Sequence, residues 1–320
     1  MIRYFNKFTN HAAYEAVKES LEKPNVSMCE QEEDVHYNAY VPHDYSQDYL
    51  TFVALEDGTF TFSGNAIQYS IDDGATWTSL ASNTQSPTVT AGNKIMWKQT
   101  GLVGQSQTGI GKFISTGRFN CEGNAMSLHY GDNFIGQTDL PNRDSAFEAL
   151  FKSCTNIVSC ENLVLPATTL SRRTYFSMFS GCTSLTTPPS IIQATTFLDN
   201  MSCQNMFRGC TSLMTAPQLP ATTLGYNCYS YMFYGCTSLT TAPELPATTL
   251  AASCYSYMFS GCTSLNSITC LATDISASMC TSNWVNNVAS SGTFTKAASM
   301  TSWTTGVDGI PTGWTVQDAS

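Results

Sequence analysis

The segment Met232-Phe-Tyr-Gly-Cys-Thr-Ser-Leu239 is one copy of an eight-residue pattern that recurs through the second half of the chain. Other clean copies of this Met-Phe-x-Gly-Cys-Thr-Ser-Leu pattern begin at Met178, Met206 and Met258, and a degenerate copy occupies residues 150–157. Equivalent cysteines of successive copies are 28, 28, 26 and 26 residues apart. A period of this length is typical of a solenoid, in which each coil buries its apolar residues against neighbouring coils.

The repeated apolar positions are predicted to form the core of this solenoid, because equal positions of successive coils lie above one another. Gly235 is expected to take a left-handed backbone at the end of a short helical turn. The predicted core residues are Phe151, Cys154, Met178, Phe179, Cys182, Met206, Phe207, Cys210, Met232, Phe233, Cys236, Met258, Phe259 and Cys262.

A second pattern, Leu-Pro-Ala-Thr-Thr-Leu, has the same period and occupies residues 165–170, 219–224 and 245–250. A weaker copy, Ile-Gln-Ala-Thr-Thr-Phe, occupies residues 192–197. Proline favours short extended segments over long strands. We therefore predict short strands whose threonines stack into ladders from coil to coil.

Residues that vary between the copies are predicted to face solvent, and they are the candidates for partner binding. Tyrosines are concentrated in the last full repeats. Two interpretations of these rings remain open, since tyrosine serves both to bind sugars or proteins and to pack with its hydroxyl at the surface. The candidate binding residues are Arg208, Tyr226, Tyr229, Tyr231, Tyr234, Tyr255 and Tyr257.

The thirteen cysteines are an odd number, which excludes a framework that pairs all of them. Zinc sites use close pairs such as Cys-x-x-Cys, and the sequence has none. We therefore predict buried, reduced cysteines that pack as small apolar residues, with some disulfides or a metal site as the alternatives.

The charge content of the chain limits the classes of partner. Charged residues make up 12% of the 320 residues, and the net charge is -10. Nucleic-acid binding is not expected, because phosphate recognition needs clustered lysine and arginine. The sequence has no run of 18 apolar residues, so no membrane span is expected.

Residues 1–47 are predicted to form an assembly segment with one short helix. Apolar residues recur at helical spacing, and Pro24 ends the pattern. The helix is expected to dock either on its own chain or in a larger assembly. The first ten residues lack the apolar region of a secretory signal peptide, so export by that route is not expected. The candidate anchor residues are Phe5, Phe8, Tyr14, Val17 and Leu21.

Residues 48–142 are predicted to form an antiparallel, immunoglobulin-like β-sandwich, because short alternating strands are separated by Gly, Asn and Asp turns. Within them, Ser70-Ile-Asp-Asp-Gly-Ala-Thr-Trp77 resembles the Asp-box hairpin of sialidases and other β-propeller proteins. The resemblance implies a folding device in which Asp72 and Gly74 shape the turn and Trp77 packs beneath it. A sugar-hydrolysing site is not expected, because the carboxylate pair of a glycosidase is missing.

Other catalytic motifs are also missing. None of the four histidines has the His-Glu-x-x-His spacing of a zinc enzyme, and no nucleophile elbow, dinucleotide fingerprint or P-loop is found. We therefore expect a protein that is not an enzyme and has no catalytic residues, no metal and no cofactor.

Residues 147–275 resemble the BspA-like leucine-rich repeat family through the repeated Phe-x-Gly-Cys-Thr-Ser-Leu and the Thr-rich segment with proline that follows it. The resemblance implies a right-handed, non-enzymatic solenoid of the kind found in bacterial adhesins. The solenoid is predicted over residues 143–275 and a cap over residues 276–320, because the last coil would otherwise expose its core. The predicted fold is mainly β, with the helical anchor, the sandwich, the solenoid and the cap in chain order.

Residues 10–38 are similar to lead segments of virion proteins in tailed, crAss-like phages of gut Bacteroidales. This resemblance implies a head- or tail-fibre protein on the virion surface, made in the host cytoplasm and released by lysis. Its N-terminus would bind other virion proteins, its solenoid would bind host-surface or mucosal glycan or protein, and the chain would act as a homo-oligomer. The alternatives are a bacterial cell-surface adhesin and, more distantly, a glycan-active enzyme.

Overall fold

The computed structural model describes residues 42–99, 110–140, 144–197 and 200–320, and their secondary structure is mainly β. The candidate anchor residues and their predicted helix lie outside these ranges. The N-terminal elements are β1 (Leu50–Ala54), β2 (Phe60–Phe62), β3 (Ile67–Ser70), β4 (Thr78–Leu80), β5 (Lys94–Lys98), β6 (Phe113–Ser115), β7 (Phe119–Asn124) and helix α1 (Ser127–Tyr130). The later strands are β8 (Ile157–Ser159), β9 (Leu163–Val164), β10 (Thr169–Leu170), β11 (Thr196–Phe197), β12 (Ser267–Cys270), β13 (Thr293–Lys296) and β14 (Thr315–Asp318).

Strand β1 lies inside the N-terminal sheet, between its antiparallel partners β5 and β7. Strands β2 and β6 form a separate antiparallel pair, and its aromatic residues pack on the same core. The rings of Phe52 and Phe113, for example, are 4.9 Å apart and nearly perpendicular. This second layer has two strands among the described residues, so the immunoglobulin-like sandwich, with at least three strands in each layer, is not shown.

The N-terminal sheet continues directly into the solenoid. Strand β7 pairs in parallel with β8 and also with β9, although the predicted boundary between the two regions is at residue 142. The aromatic core continues as well, because the rings of Phe113 and Phe151 are stacked 5.9 Å apart. The described residues from 44 onward therefore share one contiguous core, and the β-rich N-terminal part covers the first coil of the solenoid.

The solenoid has about six coils, and each of them contains a run of tight turns. The N–H of Met232 donates to the carbonyl of Tyr229 in the same coil (3.1 Å), whereas the N–H of Phe233 donates to Met258 of the next coil (2.9 Å). Every fourth residue of the run, Tyr231 and Gly235 among them, has a positive φ. The expected short helical turn is not formed, because alternate N–H groups bond to the neighbouring coil instead of to the carbonyl four residues back.

All fourteen predicted core residues of the repeats are buried. The phenylalanines form a continuous stack with almost parallel rings, and the distance between Phe179 and Phe207 is 5.3 Å. Each cysteine of the repeat pattern packs under this stack. The thiol of Cys210 donates to the carbonyl of Phe179 at 3.1 Å, and the thiol of Cys236 donates to Phe207 at 3.0 Å. The repeated motif is therefore the structural core of the solenoid.

The twelve cysteines among the described residues are buried and carry free thiols. A second column of thiols is formed by Cys228, Cys254 and Cys280, which lie one position before the tyrosine column. Cys203 lies outside this column. Its N–H bonds to Cys228 in the same way that the N–H of Tyr229 bonds to Cys254, so Cys203 takes the place of a tyrosine in its coil.

The C-terminal residues continue the stack of coils and close it. Strands β12, β13 and β14 form a parallel sheet in register. The indole of Trp284 stacks on Tyr255 at 6.2 Å and on Trp303 at 5.6 Å. Its Nε1–H donates to the carbonyl of Gly309 at 2.8 Å. The N–H of Phe259 donates to Trp284 as the N–H of Phe233 donates to Met258, so Trp284 takes the methionine position of the repeat and covers the aromatic core at this end.

Candidate binding surface on the solenoid

The structure divides the candidate tyrosines into two groups. Tyr229 and Tyr255 are each 1% exposed and stack on one another in the core at 6.3 Å. The prediction that these two residues bind a partner is therefore wrong. Both rings pack inside the core, and the hydroxyl of Tyr229 is buried too and not at the surface. Tyr231 and Tyr257 lie two residues later and are half-buried at the surface.

The half-buried tyrosines form a compact surface group with Arg208, which we call the tyrosine–arginine patch (Arg208, Tyr231, Tyr234 and Tyr257). The rings of Tyr231 and Tyr257 are parallel within 4° and 4.6 Å apart. Tyr234 is tilted by 46° from Tyr231, at 5.7 Å. The guanidinium carbon of Arg208 lies 5.5 Å from the centre of Tyr231 and 4.9 Å from that of Tyr234, within the range of cation–π contacts.

This arrangement follows from the stacking of coils. Residues 205, 231, 257 and 283 occupy the same left-handed position of four successive coils, so their side chains leave the solenoid on one side. Arg208 and Tyr234 occupy the variable position of the Met-Phe-x-Gly-Cys pattern in two adjacent coils. The patch thus combines two columns of surface residues that lie three positions apart in each coil.

Asparagines lie at both ends of the tyrosine stack. The side-chain oxygen of Asn205 accepts a long hydrogen bond of 3.4 Å from Arg208. At the other end, the side-chain amide of Asn283 donates to the hydroxyl of Tyr257 at 3.3 Å. The patch is therefore an aromatic and amide surface that carries one positive charge.

The surroundings of Tyr231 favour its neutral phenol. Partial burial raises the pKa of Tyr231, and the neighbouring Tyr257 adds to this effect. Arg208 is exposed, and no carboxylate lies within ion-pair distance of it in the part of the chain that the structure describes. Its guanidinium lies instead over the rings of Tyr231 and Tyr234. This contact leaves N–H donors of the guanidinium free for a ligand.

Tyr226 is separate from this patch. Its side chain is 51% exposed, and among the described residues it makes no ring contact with the other tyrosines. Of the seven candidate binding residues, the structure therefore brings four together, buries two and leaves one apart.

A second surface cluster was not predicted from the sequence. The ammonium of Lys98 lies 4.2 Å from the ring centre of Trp77 and 2.6 Å from a carboxylate oxygen of Asp132. The hydroxyl of Tyr49 donates to the same oxygen at 2.6 Å. Burial, followed by the hydrogen bond to Asp132, raises the pKa of Tyr49 to about 12. The ammonium of Lys98 and the carboxylate of Asp132 pair with each other. Because Lys98 also contacts Trp77, the cluster attaches the Asp-box hairpin to the sheet.

The Asp-box forms the hairpin between β3 and β4. The carboxylate of Asp72 accepts hydrogen bonds from Ser70 (2.6 Å) and from both the N–H and the hydroxyl of Thr76 (3.0 and 2.6 Å). Gly74 has φ +85°, a conformation that glycine adopts without strain. Since the hydrogen bonds of Asp72 stay within the turn, this motif acts as a folding device.

The described residues contain no group of three or more His, Cys, Asp or Glu side chains that could hold a metal ion. Burial raises the pKa of the repeat thiols, to about 12 for Cys262, so they are poor nucleophiles at neutral pH. Within the same residues, no helix has the length and apolar character to cross a membrane.

Comparison with protein-family models, with curated proteins and with solved structures finds no match to this chain. The similarity of the repeats to BspA-like proteins and the phage assignment thus remain predictions from the sequence.

Proposed function

We propose that this chain is a non-enzymatic binding protein whose solenoid is a rigid support for the tyrosine–arginine patch. The observation that carries the proposal is the parallel surface stack of Tyr231 and Tyr257, 4.6 Å apart, on a left-handed backbone with φ values of +57° and +55°. Large side chains rarely take this conformation, whereas asparagine and glycine take it readily.

The other coils show that the fold does not need tyrosine at this position. The equivalent residues are Ala149, Ser177, Asn205 and Asn283, all with positive φ. A left-handed backbone costs a residue other than glycine about 1–2 kcal/mol. Other left-handed positions of the coils also hold large side chains, such as Arg173, Met201 and Met279, so the conformation alone does not mark a site. The feature that points to function is the pair of successive tyrosines at a position where the neighbouring coils have asparagine.

The stack itself favours binding over packing. Tyr231 and Tyr257 cover one another without entering the core, and Arg208 covers part of the same surface. Rigid tyrosines and an arginine are the residue types that contribute most to binding at protein surfaces. We propose that the ligand is a glycan or protein of a host or mucosal surface.

The experiment is a binding assay of the full chain on immobilised glycans and surface proteins, with the double variant Tyr231→Asn/Tyr257→Asn. The control is Met279→Asn, because Met279 is also exposed and left-handed (φ +54°) but makes no ring contact with the patch. The wild type and the control should bind alike, and the double variant should lose binding while its melting temperature is unchanged or higher. Binding by the double variant at wild-type strength would exclude the patch, and no binding by the wild type would overturn the proposal.

We further propose that the chain is part of a virion appendage, anchored through its N-terminal segment. Support for this comes from the sequence similarity of residues 10–38 and from the surface patch that the solenoid carries. Antibody raised against residues 150–320 should label intact particles. Particles that contain the chain but are not labelled would contradict the appendage model.

A further inference from the structure

We propose that the ligand of the tyrosine–arginine patch is a saccharide that bears a carboxylate, such as a sialic acid or a uronic acid, and that Arg208 binds this carboxylate. The inference rests on the proposed binding function and adds the chemical class of the ligand.

The orientation of Arg208 is the first argument. Its guanidinium lies against Tyr231 and Tyr234, at 5.5 and 4.9 Å from their ring centres. Stacking occupies the faces of a guanidinium and leaves its N–H donors, which lie in its plane, available for hydrogen bonds. The long contact with Asn205 uses one of them. A carboxylate is the group that fits such a planar pair of donors, with two parallel hydrogen bonds.

The electrostatic setting is the second argument. Elsewhere among the described residues, cationic side chains such as Lys94, Arg173 and Lys296 form ion pairs with carboxylates of the chain itself. Arg208 is exposed and has no such partner, in a chain with a net charge of -10. Lys112, Arg118, Lys152 and Arg172 also lack an ion pair among the described residues, but of these five cations Arg208 is the one that lies over aromatic rings. Because nearby carboxylates do not neutralise it, an external anion is its natural complement.

The remaining groups of the patch favour a saccharide over an acidic peptide. Tyr231, Tyr234 and the amide of Asn205 contact the guanidinium, and Tyr257 and the amide of Asn283 continue the patch along the stack of coils. The neutral hydroxyl and amide groups of these residues match the hydroxyl groups of a sugar. Tyr234 lies outside the parallel stack and is half-buried, so part of its ring is open to C–H contacts with a sugar ring. An acidic peptide would instead be matched by several cationic groups, and the patch has one.

The experiment compares binding of the full chain to sialylated and uronate-containing oligosaccharides with binding to the same oligosaccharides after reduction of the carboxylate to an alcohol. Two variants are measured beside the wild type. Arg208→Gln removes the proposed anchor, and Lys152→Gln removes a positive charge at the equivalent position of an earlier coil, away from the patch. Poly-glutamate is the acidic peptide probe.

The acidic sugars should bind at least about tenfold more tightly than their reduced forms, since a hydrogen bond to a charged group is worth about 1.5–3 kcal/mol. Arg208→Gln should remove this preference, and Lys152→Gln should keep it. The sialic acid and uronate arms show which source of carboxylate is preferred. Equal binding of acidic and reduced sugars would overturn the carboxylate assignment but leave the binding function intact. Binding of poly-glutamate alone would overturn the saccharide assignment, and the absence of any binding would overturn both proposals.

Discussion

The edge of the Phe197 ring packs against buried Tyr229 of the next coil, with ring centres 5.4 Å apart and an angle of 84° between the planes. Phe197 is paired with Leu170 in parallel strands and occupies the last position of its Leu-Pro-Ala-Thr-Thr-Leu copy, where the other copies have leucine. The same coil has Cys203 where its neighbours have Tyr175 and Tyr229. In this coil Phe197 is thus larger than the leucine of the other copies, and Cys203 is smaller than the tyrosine of the neighbouring coils. Such a compensating pair is expected for a core that conserves its total volume.

Replacing Phe197 with leucine should destabilise the solenoid by about 1–2 kcal/mol, because the smaller side chain leaves space beside Tyr229 and removes the ring contact with it. Cys203→Tyr alone should also destabilise, through overpacking. The double variant Phe197→Leu/Cys203→Tyr restores the residues of the other coils. Its loss of unfolding free energy should therefore be smaller than the sum of the two single losses. Chemical denaturation of all four proteins measures this coupling, and strictly additive changes would contradict it.

The need for glycine at the left-handed end of each repeat can be tested at Gly235. This residue has φ +71°, and no atom lies within 4 Å of an added Cβ. Gly235→Ala should lower the unfolding free energy by about 1 kcal/mol, because only the backbone conformation opposes the methyl group. Gly235→Asn should be less harmful, since Asn287 takes the equivalent position with φ +58°. Thermal denaturation gives the order, and an alanine variant as stable as the wild type would show that this conformation is not maintained.

The buried thiols should make the protein sensitive to alkali. Burial raises the pKa of Cys262 from 9.0 to about 12, and that of Cys154 to about 11. Above pH 9 the unfolded chain therefore releases protons that the folded chain retains, so stability falls as the pH rises. Each thiol contributes up to about 1.4 kcal/mol for every pH unit in that window.

Urea denaturation from neutral pH to about pH 10.5 measures this effect. The variant Cys262→Ala should be less stable at neutral pH, where it loses the bond to Phe233, but its stability should fall less steeply with pH. A denaturation midpoint that is constant up to the end of this range would contradict the account.

The Asp-box hairpin should respond to acid. Hydrogen bonds from Ser70 and Thr76 lower the pKa of Asp72 from 3.8 to about 2. A carboxylate with a lowered pKa stabilises the fold at neutral pH, and this contribution is lost as the pH falls from about 4 toward 2. NMR titration of the Asp72 carboxyl should give the lowered value. In Thr76→Val the pKa should rise toward its ordinary range, and an unchanged value would contradict the hydrogen-bond assignment.

Much of the solenoid was predictable because its information is local and repeated. The period of the cysteines and the Met-Phe pair predicted the coils and their buried residues, and the positive φ of Gly235 follows from the same pattern. The junction with the N-terminal sheet was not predictable. Strand β7 pairs with both β8 and β9, and no local pattern of residues shows that a parallel partner lies more than thirty residues away.

The sequence by itself determined that the chain is a mainly β protein with stacked repeats, because equal residues at equal spacing can bury their apolar groups only against one another. The tertiary structure alone decided which tyrosines face the core. Tyr229 and Tyr231 are two residues apart, and alternating hydrogen bonds within and between coils place one in the core and the other at the surface beside Arg208. The direction of a side chain in a tight turn depends on these bonds to the next coil, so it could not be read from the local sequence.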